Sequence, residues 1–523
     1  MLNVSIAHVC FFCAMLVLNC AAVAVGQGSK YGQFAPEDAY ENGSKLAYYG
    51  SENEWSHRMF TADRADRFYM RRGQRQLLAI VDGQAEEVVQ WCQERLANDP
   101  NDLESRFNLA AAWCALDDPQ QAWSVAHKAI GRGLPVERFV AGLRELFTPL
   151  THSEPFRQYV AEHPVNLIHG PLLGDMTDHG VRVWLRTAQE GSVSVRAFRT
   201  GEDSPIQTAT GQTEASGDFT AVVQLSGLTA DTEYEYDVLV DGVPASNNRR
   251  RTLRTYPQPG SNGKLRIGFD GGAGFTPRHE SIWNTIADRQ MNAFLLLGDN
   301  VYIDLPEAPG PLHRYTYYRR QSRPEFRRLT ATTPIYAIWD DHDCGIDDVW
   351  MGPYRDKPHW KRPTLDLFRE NWNNPSYGGK DWPGCWYQFS IANVDLFLLD
   401  GRFYRTNPYG EQPTMLGPAQ KEWLLDGLRN SRAEFKLPVS PVAWAPEAKP
   451  GSRDTWDGFS AEREEIFSWI ESNRVEGVVL VSADRHRSDA WKIVRPAGYD
   501  LHELPFDQSS SSRVFRRRAL LLQ

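Results

Sequence analysis

Five apolar segments of the chain run directly into acidic residues, and two of these acidic groups also contain a histidine. In chain order the groups are Asp270, Asp299, Asp340-Asp341-His342-Asp343, Asp400 and Asp484-Arg485-His486. A single aspartate after a strand commonly caps the next helix, and that explanation would suffice for any one of them. Five in succession would repel one another when buried unless cations neutralised them. The repetition therefore predicts a two-metal centre, in which paired cations activate water and stabilise negative charge.

The apolar segments predict how these acids come together. They are continuous runs, as expected for strands of a sheet covered on both faces, and they span residues 265–269, 294–297, 335–339, 394–399 and 478–482. Helical stretches such as 419–430 and 461–473 lie between them. Sheets of this kind collect their ligands at one edge. Residues 262–505 are therefore expected to form an α/β (α+β) core, a sheet sandwich flanked by helices, with the acids at one edge.

Residues 164–257 have a different pattern, in which apolar and polar residues alternate, as in 181–186 and 233–238. Turn-forming residues separate these short runs. The pattern predicts a small β-sandwich. The segment 225–234 resembles the strand corner of a fibronectin III-like domain. We find no catalytic cluster in this region, so we expect it to act as a scaffold beside the active site.

Residues 77–163 show helical periodicity, and the small residues Ala122, Ala126 and Ala129 would let two antiparallel helices pack closely. This arrangement resembles a tetratricopeptide repeat (TPR-like) of about 34 residues. Since stable arrays usually need about three repeats, an ordinary helical hairpin docked on the enzyme is an equal alternative. The repeat interpretation predicts a protein partner for this segment, and the hairpin interpretation does not.

The two ends of the chain carry signals of their own. Residues 1–26 contain no Asp, Glu, Lys or Arg and end in an apolar stretch with the pattern Ala22-Val23-Ala24. This pattern predicts a signal peptide, and therefore a secreted or periplasmic protein with no further membrane span. The alternatives are an uncleaved amino-terminal anchor and a lipoprotein acceptor at Cys20. Residues 27–76 are polar and predict a surface arm. The atypical tail, residues 506–523, does not resemble a closing strand, so the last β elements of the core are expected to be missing or altered.

Charge and cysteine content argue against other classes of protein. The net charge is -10, without the basic footprint that is usual for nucleic-acid binding. Beyond the leading segment the cysteines are Cys92, Cys114, Cys344 and Cys385, and none forms a CxxC pair typical of a zinc site. Buried free thiols are the expected state of Cys92 and Cys114, with a disulfide left open.

Several motifs in the core resemble those of a known family. In chain order they are Gly298-Asp299-Asn300-Val301-Tyr302, Trp339-Asp340-Asp341-His342-Asp343, Leu399-Asp400-Gly401-Arg402, Asp454-Thr455-Trp456-Asp457-Gly458 with Arg463, and Ser482-Ala483-Asp484-Arg485-His486. These blocks, in this order over residues 264–495, resemble the PhoD-like (alkaline phosphatase D) metallophosphoesterases, which are related to purple acid and calcineurin-like phosphatases. The resemblance implies a phosphoric ester hydrolase that acts on small phosphate mono- or diesters.

The resemblance also implies roles for individual residues. Asp299 would bridge two metals, and Tyr302 would bind one of them, a ferric ion, as a phenolate. Asp341 would bind the second metal, and Asp484 and His486 would complete the two coordination shells. The implied cofactors are Fe3+ with one or more divalent cations, Ca2+ by resemblance.

Two further residues are candidates for catalysis. His342 is placed to protonate the leaving alkoxide, and its alternative role is to support Asp341. Arg402 would contact the phosphate through its planar guanidinium group. Its alternative role is an ion pair with Asp400 or Asp343.

One position departs from the family's pattern. The family carries a cysteine ligand in its first block, where this chain has Asp270 followed by Gly271-Gly272. Asp270 would replace the thiolate with an oxygen ligand, which favours harder cations, or it would be a turn residue. The leading interpretation is a secreted, metal-dependent phosphoesterase in which metal-activated hydroxide attacks the ester. The alternative is a weakly active or inactive phosphatase fold that binds a partner through its helical segment.

Overall fold

The structure of the chain is a computed structural model that describes residues 69–245, 250–306, 309–496 and 498–505. The predicted signal peptide, the predicted tail and most of the predicted surface arm lie outside these residues. Within the described residues, every helix is too short or too polar to cross a membrane. A helical segment, a β-rich region and an α/β domain follow one another along the chain.

The helical segment contains seven helices. They are α1 (Tyr69–Val81), α2 (Ala85–Asn98), α3 (Leu103–Ala115), α4 (Pro119–Ile130), α5 (Glu137–Ala141), α6 (Thr148–Thr151) and α7 (Glu154–Glu162). Asp102 caps α3, because its side chain accepts a hydrogen bond from the Ser105 amide at 3.0 Å. Ala122 and Ala126 on α4 are fully buried, as the small-residue pattern predicts. Helix α1 begins at Tyr69, inside the range expected to be a surface arm, so that boundary is wrong.

The β-rich region consists of two antiparallel sheets that share one core. Its strands are β1 (Leu167–Gly174), β2 (Gly180–Thr187), β3 (Gly191–Arg199), β4 (Gln207–Thr213), β5 (Thr220–Ser226), β6 (Glu233–Val240), β7 (Val243–Pro244) and β8 (Arg251–Arg254). One sheet has the order β1-β2-β5; the other has the order β4-β3-β6-β7, with β8 also paired to β6. At the corner before β6, the hydroxyl of Tyr234 accepts a hydrogen bond from the Thr229 amide at 2.9 Å.

The α/β domain contains two further sheets and seven helices. The strands are β9 (Ile267–Asp270), β10 (Ala293–Leu297), β11 (Ile335–Ile338), β12 (Tyr387–Ile391), β13 (Val394–Leu398), β14 (Phe435–Val439), β15 (Val479–Ser482), β16 (Trp491–Ile493) and β17 (Leu501–Pro505). The helices are α8 (Ile282–Ala287), α9 (Pro311–Gln321), α10 (Pro324–Thr330), α11 (Asp341–Cys344), α12 (Lys361–Asn371), α13 (Gly417–Asn430) and α14 (Ser460–Ser472).

The first sheet is parallel with the order β11-β10-β9, and the second has the order β12-β13-β14-β15-β17-β16. Strands β9, β10 and β11 are buried along their whole length, as the continuous apolar runs predict. The carboxyl ends of the two sheets come together where Gly271 faces Ala483. A Cβ placed on Gly271 would lie only 2.5 Å from the Ala483 Cβ, so this contact requires a glycine.

The end of the α/β domain differs from the expectation. Strand β17 pairs in parallel with β15, and β16 pairs antiparallel with β17, so closing β elements are present. Glu503 on β17 is fully buried and accepts hydrogen bonds from the amides of Trp444 and Ala445 at 2.8 and 2.6 Å. The closing strands therefore also hold the loop after β14. The cysteines Cys92, Cys114, Cys344 and Cys385 are all buried, and Cys114, Cys344 and Cys385 are free thiols.

Candidate metal centre

Asp299, Asp341 and His342 come together at the carboxyl ends of β10 and β11. Each offers a ligand atom, and these atoms all lie within 4.8 Å of one another. The two strand ends approach closely at Gly298, where a Cβ would lie 2.5 Å from the Asp340 Cβ. Gly298 also has a φ of 109°, which only glycine adopts without strain. The convergence expected from the strand ends is therefore present for these three residues.

Several residues at the carboxyl ends of the two sheets and in the loops beside them, here called the cleft residues, adopt a left-handed backbone conformation. This conformation is uncommon outside glycine. They are Asp299 (φ 52°), Asp304 (59°), Asp348 (58°), Asp484 (62°) and His486 (51°). Aspartate and histidine tolerate this conformation better than most residues, but it still costs about 1–2 kcal/mol per residue. Such residues cluster at functional sites, where the surrounding structure holds them in place.

The environment of Asp299 fits a bound cation. Its side chain is 3% exposed, and its Oδ1 atom is buried with no hydrogen-bond partner within the described part of the chain. Burial raises the pKa of Asp299 well above its ordinary value; the charge of His342 opposes this shift, and Asp341 adds to it. A buried carboxylate oxygen without a hydrogen bond is costly unless a cation binds it. Carboxylate-rich sites suit hard cations, so the donor set agrees with the predicted metals.

His342 also contacts two further aspartates, Asp304 and Asp347. Its Nδ1 atom contacts Asp304 Oδ1, and its Nε2 atom lies 3.7 Å from Asp347 Oδ1. Burial alone would lower the pKa of His342, but Asp304, Asp299 and Asp341 together raise it well above the ordinary value. The surrounding carboxylates therefore favour the protonated form of the imidazole. Asp304 holds it in place, a role that the sequence did not indicate.

Tyr302 is buried beside His342, with ring centroids 4.5 Å apart and an interplanar angle of 34°. Asp270 ends β9 and is 3% exposed, and its Oδ1 accepts a hydrogen bond from the Gly271 amide at 3.0 Å. The Gly272 amide donates to the Gly298 carbonyl at 3.1 Å, which places the Asp270 turn next to the Asp299 turn. Asp270 nevertheless joins no cluster of three potential ligands in the described chain.

Asp484 and His486 also stay outside the ligand clusters of the described residues. Asp484 instead forms an ion pair with Lys449, whose Nζ atom lies 2.9 Å from Oδ2 and 3.2 Å from Oδ1. His486 is exposed to solvent on one side, yet the protein around its ring desolvates it and, with the charge of Lys449, lowers its pKa against the effect of Asp484. Lys449 was not predicted as a site residue, because it lies in a loop without a recognisable motif.

Arg402 is fully buried and bound to carboxylates. Its Nη1 and Nη2 atoms lie 2.7 and 2.9 Å from the two oxygens of Asp454, and its Nε donates to Asp340. It thus forms a buried ion pair, but the expected partners were wrong. Asp400 instead accepts hydrogen bonds from the Trp339 indole at 2.8 Å and the Cys385 amide at 2.6 Å. Asp343 accepts hydrogen bonds from the backbone amides of Val301 and Asp340, each at 3.0 Å. Burial raises the pKa of Asp343 to about 7.

A second acidic cluster contains Asp341, Asp348 and Asp454. Asp454 pairs with both Arg402 and Arg405, each at 2.7 Å, and these charges lower its pKa against the effect of burial. Because Asp454 is already neutralised by two guanidinium groups, it has little need of a metal ion. Burial and the charge of Asp454 raise the pKa of Asp348 to about 8. The first cluster is therefore the better candidate for a metal site.

The fold and the first cluster define the class: a two-sheet α/β domain with carboxylates and a histidine gathered at its strand ends. Residues 268–515 match the family model described as PhoD-like phosphatase, so this domain belongs to the PhoD-like phosphatase family. The family recognised from the motifs is confirmed. Residues 164–258 match a second model, described only as a domain of unknown function (DUF7800).

The chain is also similar to individual proteins. The chain is similar to alkaline phosphatase D of Bacillus subtilis (strain 168), with 22% identity over 422 residues, 68% of each chain. A solved structure of PhoD is similar in fold, with a TM-score of 0.56 and 18% identity over 66% of this chain and 77% of that one. A purple acid phosphatase from yellow lupin (Lupinus luteus) seeds matches at a TM-score of 0.48 with 11% identity, over 65% of each chain.

Proposed function

We propose that the protein is a metal-dependent phosphoesterase that hydrolyses small phosphate mono- or diesters. The observation that supports this most is the cluster of Asp299, Asp341 and His342, in which one buried Asp299 oxygen has no hydrogen-bond partner within the described residues. The membership of residues 268–515 in a phosphatase family supports the same reaction class.

Asp299 and Asp341 are the residues that would hold cations, with Asp270, Tyr302, Asp484 and His486 as further candidate ligands. We propose Fe3+ at the Tyr302 side and a divalent cation, Ca2+ by family resemblance, beside it. Two such cations would lower the pKa of a bound water, which would then act as the nucleophile. They would also neutralise the charge on the phosphate oxygens.

His342 is the proposed proton donor to the leaving alkoxide. Its raised pKa keeps the proton available at neutral pH, and Asp304 fixes the orientation of the ring. The alternative, a role limited to supporting Asp341, predicts that the rate falls equally for good and poor leaving groups. A donor role predicts that His342→Gln slows esters of aliphatic alcohols much more than esters of nitrophenol.

The first experiment is elemental analysis with a visible absorption spectrum and phosphate-ester assays on the purified chain. We expect iron and a divalent metal, loss of activity on chelation, and a fall in kcat/KM of at least about 100-fold in Asp299→Asn. Asp426→Asn is the matched control, because its carboxylate is half exposed and pairs with Arg429 at 2.7 Å, away from the candidate ligands. A metal-free protein that still hydrolyses phosphate esters would rule the proposal out.

The regions before the catalytic domain are proposed to be scaffolds. The sheet orders and the Tyr234 hydrogen bond at the strand corner support a fibronectin III-like β region. In the helical segment, Glu104 accepts a hydrogen bond from Tyr315 of α9 at 2.7 Å, which supports a docked hairpin over a free TPR-like array that binds a protein partner.

Secretion or export to the periplasm is also proposed, and sequencing the amino terminus of the mature protein tests it.

A further inference from the structure

Helix α1 lies against the loop that carries Tyr302. Gln74 of α1 is 4% exposed, and its amide nitrogen donates to the backbone carbonyl of Tyr302. The same nitrogen lies 3.4 Å from the Thr316 hydroxyl of α9. A residue from the helical segment, 228 positions earlier in the chain, thus contacts the backbone of a candidate metal ligand.

The loop that carries Tyr302, residues 300–306, is also bonded to His342 of the candidate metal centre. The amides of Ile303 and Asp304 donate to the His342 carbonyl at 3.0 and 3.3 Å. At the end of the loop, the His313 ring bonds to the Leu305 carbonyl at 2.8 Å. The loop therefore connects Tyr302 and Asp304 to His342, and Gln74 of α1 contacts the same loop at the Tyr302 carbonyl.

The position of α1 is fixed by close packing and by buried charges. A Cβ on Gly73 would lie 2.3 Å from the Tyr315 hydroxyl, and the Gly73 carbonyl accepts a hydrogen bond from Asn108 at 2.9 Å. Glu104 pairs with Arg138 through two bonds of 2.7 and 3.0 Å. The Glu104–Arg138 pair joins α3 and α5, and a shift of α1 away from α3 would break the Gly73–Asn108 hydrogen bond and leave buried polar groups unpaired, which is costly.

We propose that Gln74 is a positioning residue of the catalytic domain, which sets the placement of the Tyr302 loop from outside that domain. A buried amide that loses its acceptors pays a desolvation penalty, so the Gln74 contact is retained in the folded chain. The helical segment is then part of the scaffold of the metal site. The effect on metal binding rests on the proposed function, whereas the effect on the loop does not.

The test uses the full chain with Gln74→Met, which keeps the size of the side chain and removes its N–H donor. Hydrogen exchange of the metal-free protein is followed by mass spectrometry over residues 300–306, and Mn2+ affinity is measured by calorimetry. We expect faster exchange in that peptide and weaker Mn2+ binding, each by about 2- to 12-fold, as for one net hydrogen bond. Exchange in β10 and the midpoint of thermal unfolding are expected to change little.

Gln76→Met is the matched control. Gln76 is fully buried on the same helix, but its bonds to Ser105 at 3.2 Å and Asn108 at 3.1 Å stay within the helical segment. If Gln74→Met does not fold, Thr316→Val removes the second acceptor of Gln74 and is expected to loosen the loop by a smaller factor.

Unchanged exchange over residues 300–306 in both Gln74→Met and Thr316→Val would overturn the proposal, and so would equal loosening of the loop by Gln76→Met. Faster exchange with unchanged Mn2+ affinity would overturn the link to the metal site. If the unmodified protein binds neither Mn2+ nor Ca2+ and contains no iron, the proposed function fails, while the exchange data still decide the role of Gln74.

Discussion

The Lys449 ammonium group lies 2.9 Å from the nearer oxygen of Asp484, so a side-chain cation faces a carboxylate that resembles a metal ligand. Burial alone would lower the pKa of Lys449, but Asp484 and Asp454 raise it above its ordinary value. The lysine therefore stays charged. It competes with any metal ion for Asp484, because two cations cannot share one carboxylate at full strength.

Replacing Lys449 with methionine is expected to strengthen metal binding. The side chain keeps its length and loses its charge, so Asp484 becomes free to bind an ion. We expect the Kd for Mn2+ to fall by about tenfold and the metal-free protein to unfold at a lower temperature. Calorimetric titration and thermal unfolding measure the two effects. Lys492→Met is the control, since Lys492 is exposed and pairs with Asp500 at the surface. Weaker Mn2+ binding in Lys449→Met would contradict the competition.

Arg402 is expected to act mainly on stability. Arg402→Met would leave Asp340 and Asp454 buried without their main cation, and breaking a buried pair in this way costs about 3–5 kcal/mol. Urea unfolding measures this loss. Arg429→Ala, which breaks a half-exposed pair with Asp426, is expected to cost less than about 1 kcal/mol. Unchanged stability with a raised KM for phosphate esters would instead assign Arg402 to substrate binding.

The interface between the β-rich region and the catalytic domain is expected to weaken in acid. Burial and the Arg186 guanidinium hold the pKa of His169 well below its ordinary value. Its Nδ1 accepts a hydrogen bond from Arg186 at 2.9 Å, and its Nε2 lies 3.0 Å from the Ser322 hydroxyl, so the ring is neutral. Because the folded pKa is lowered, this stabilisation is complete above about pH 6.5 and is lost as the pH falls below it, by about 1.4 kcal/mol per pH unit.

His169→Gln checks this dependence, because an amide can replace both hydrogen bonds without taking up a proton. Urea unfolding of the metal-free protein at pH 7.5 and 5.5 compares the two chains. We expect the unmodified chain to lose about 1.4 kcal/mol more than the variant between these conditions. Parallel pH profiles would show that His169 does not contribute.

Gly271→Ala is expected to disturb the cleft without removing any candidate ligand. The added methyl group would lie 2.5 Å from the Ala483 Cβ, so the two sheets would have to separate slightly. Overpacking of this kind costs about 1–3 kcal/mol. We also expect weaker Mn2+ binding, because Asp299 and Asp484 lie on opposite sides of this contact. Gly263→Ala is the control, since its Cβ would meet nothing within 4 Å. Equal Mn2+ affinity in both variants would contradict the expectation.

The five acid-terminated strands could be predicted because a buried strand and a chemical side chain both leave a local pattern. They correspond to β9, β10, β11, β13 and β15. Strand β14 lies between β13 and β15 but is followed by Ser440 instead of an acid, so no chemical signal marked it. The closing strands β16 and β17 were missed because they are short and separated by a turn.

The contacts of the site were harder to predict than its strands. The alternative role expected for Arg402 was an ion pair with Asp400 or Asp343, but its partners are Asp340, 62 positions away, and Asp454, 52 positions away. Lys449, Asp348 and Gln74 reach the cleft from loops or from another region of the chain. Their roles depend on how distant segments pack, which no local spacing encodes.

The left-handed backbone at Asp299, Asp484 and the other cleft residues bears on the lifetime of the protein. A chain that folds before it meets its ions holds these residues at a cost of about 1–2 kcal/mol each, next to carboxylates that repel one another. An ion that binds only the folded chain adds about 2.7 kcal/mol of stability at a hundredfold excess over its Kd. Proteases degrade the unfolded fraction, which this gain reduces about a hundredfold. Scarcity of metal would then shorten the survival of each molecule as well as silence it, so that the amount of protein would follow the mineral content of its surroundings.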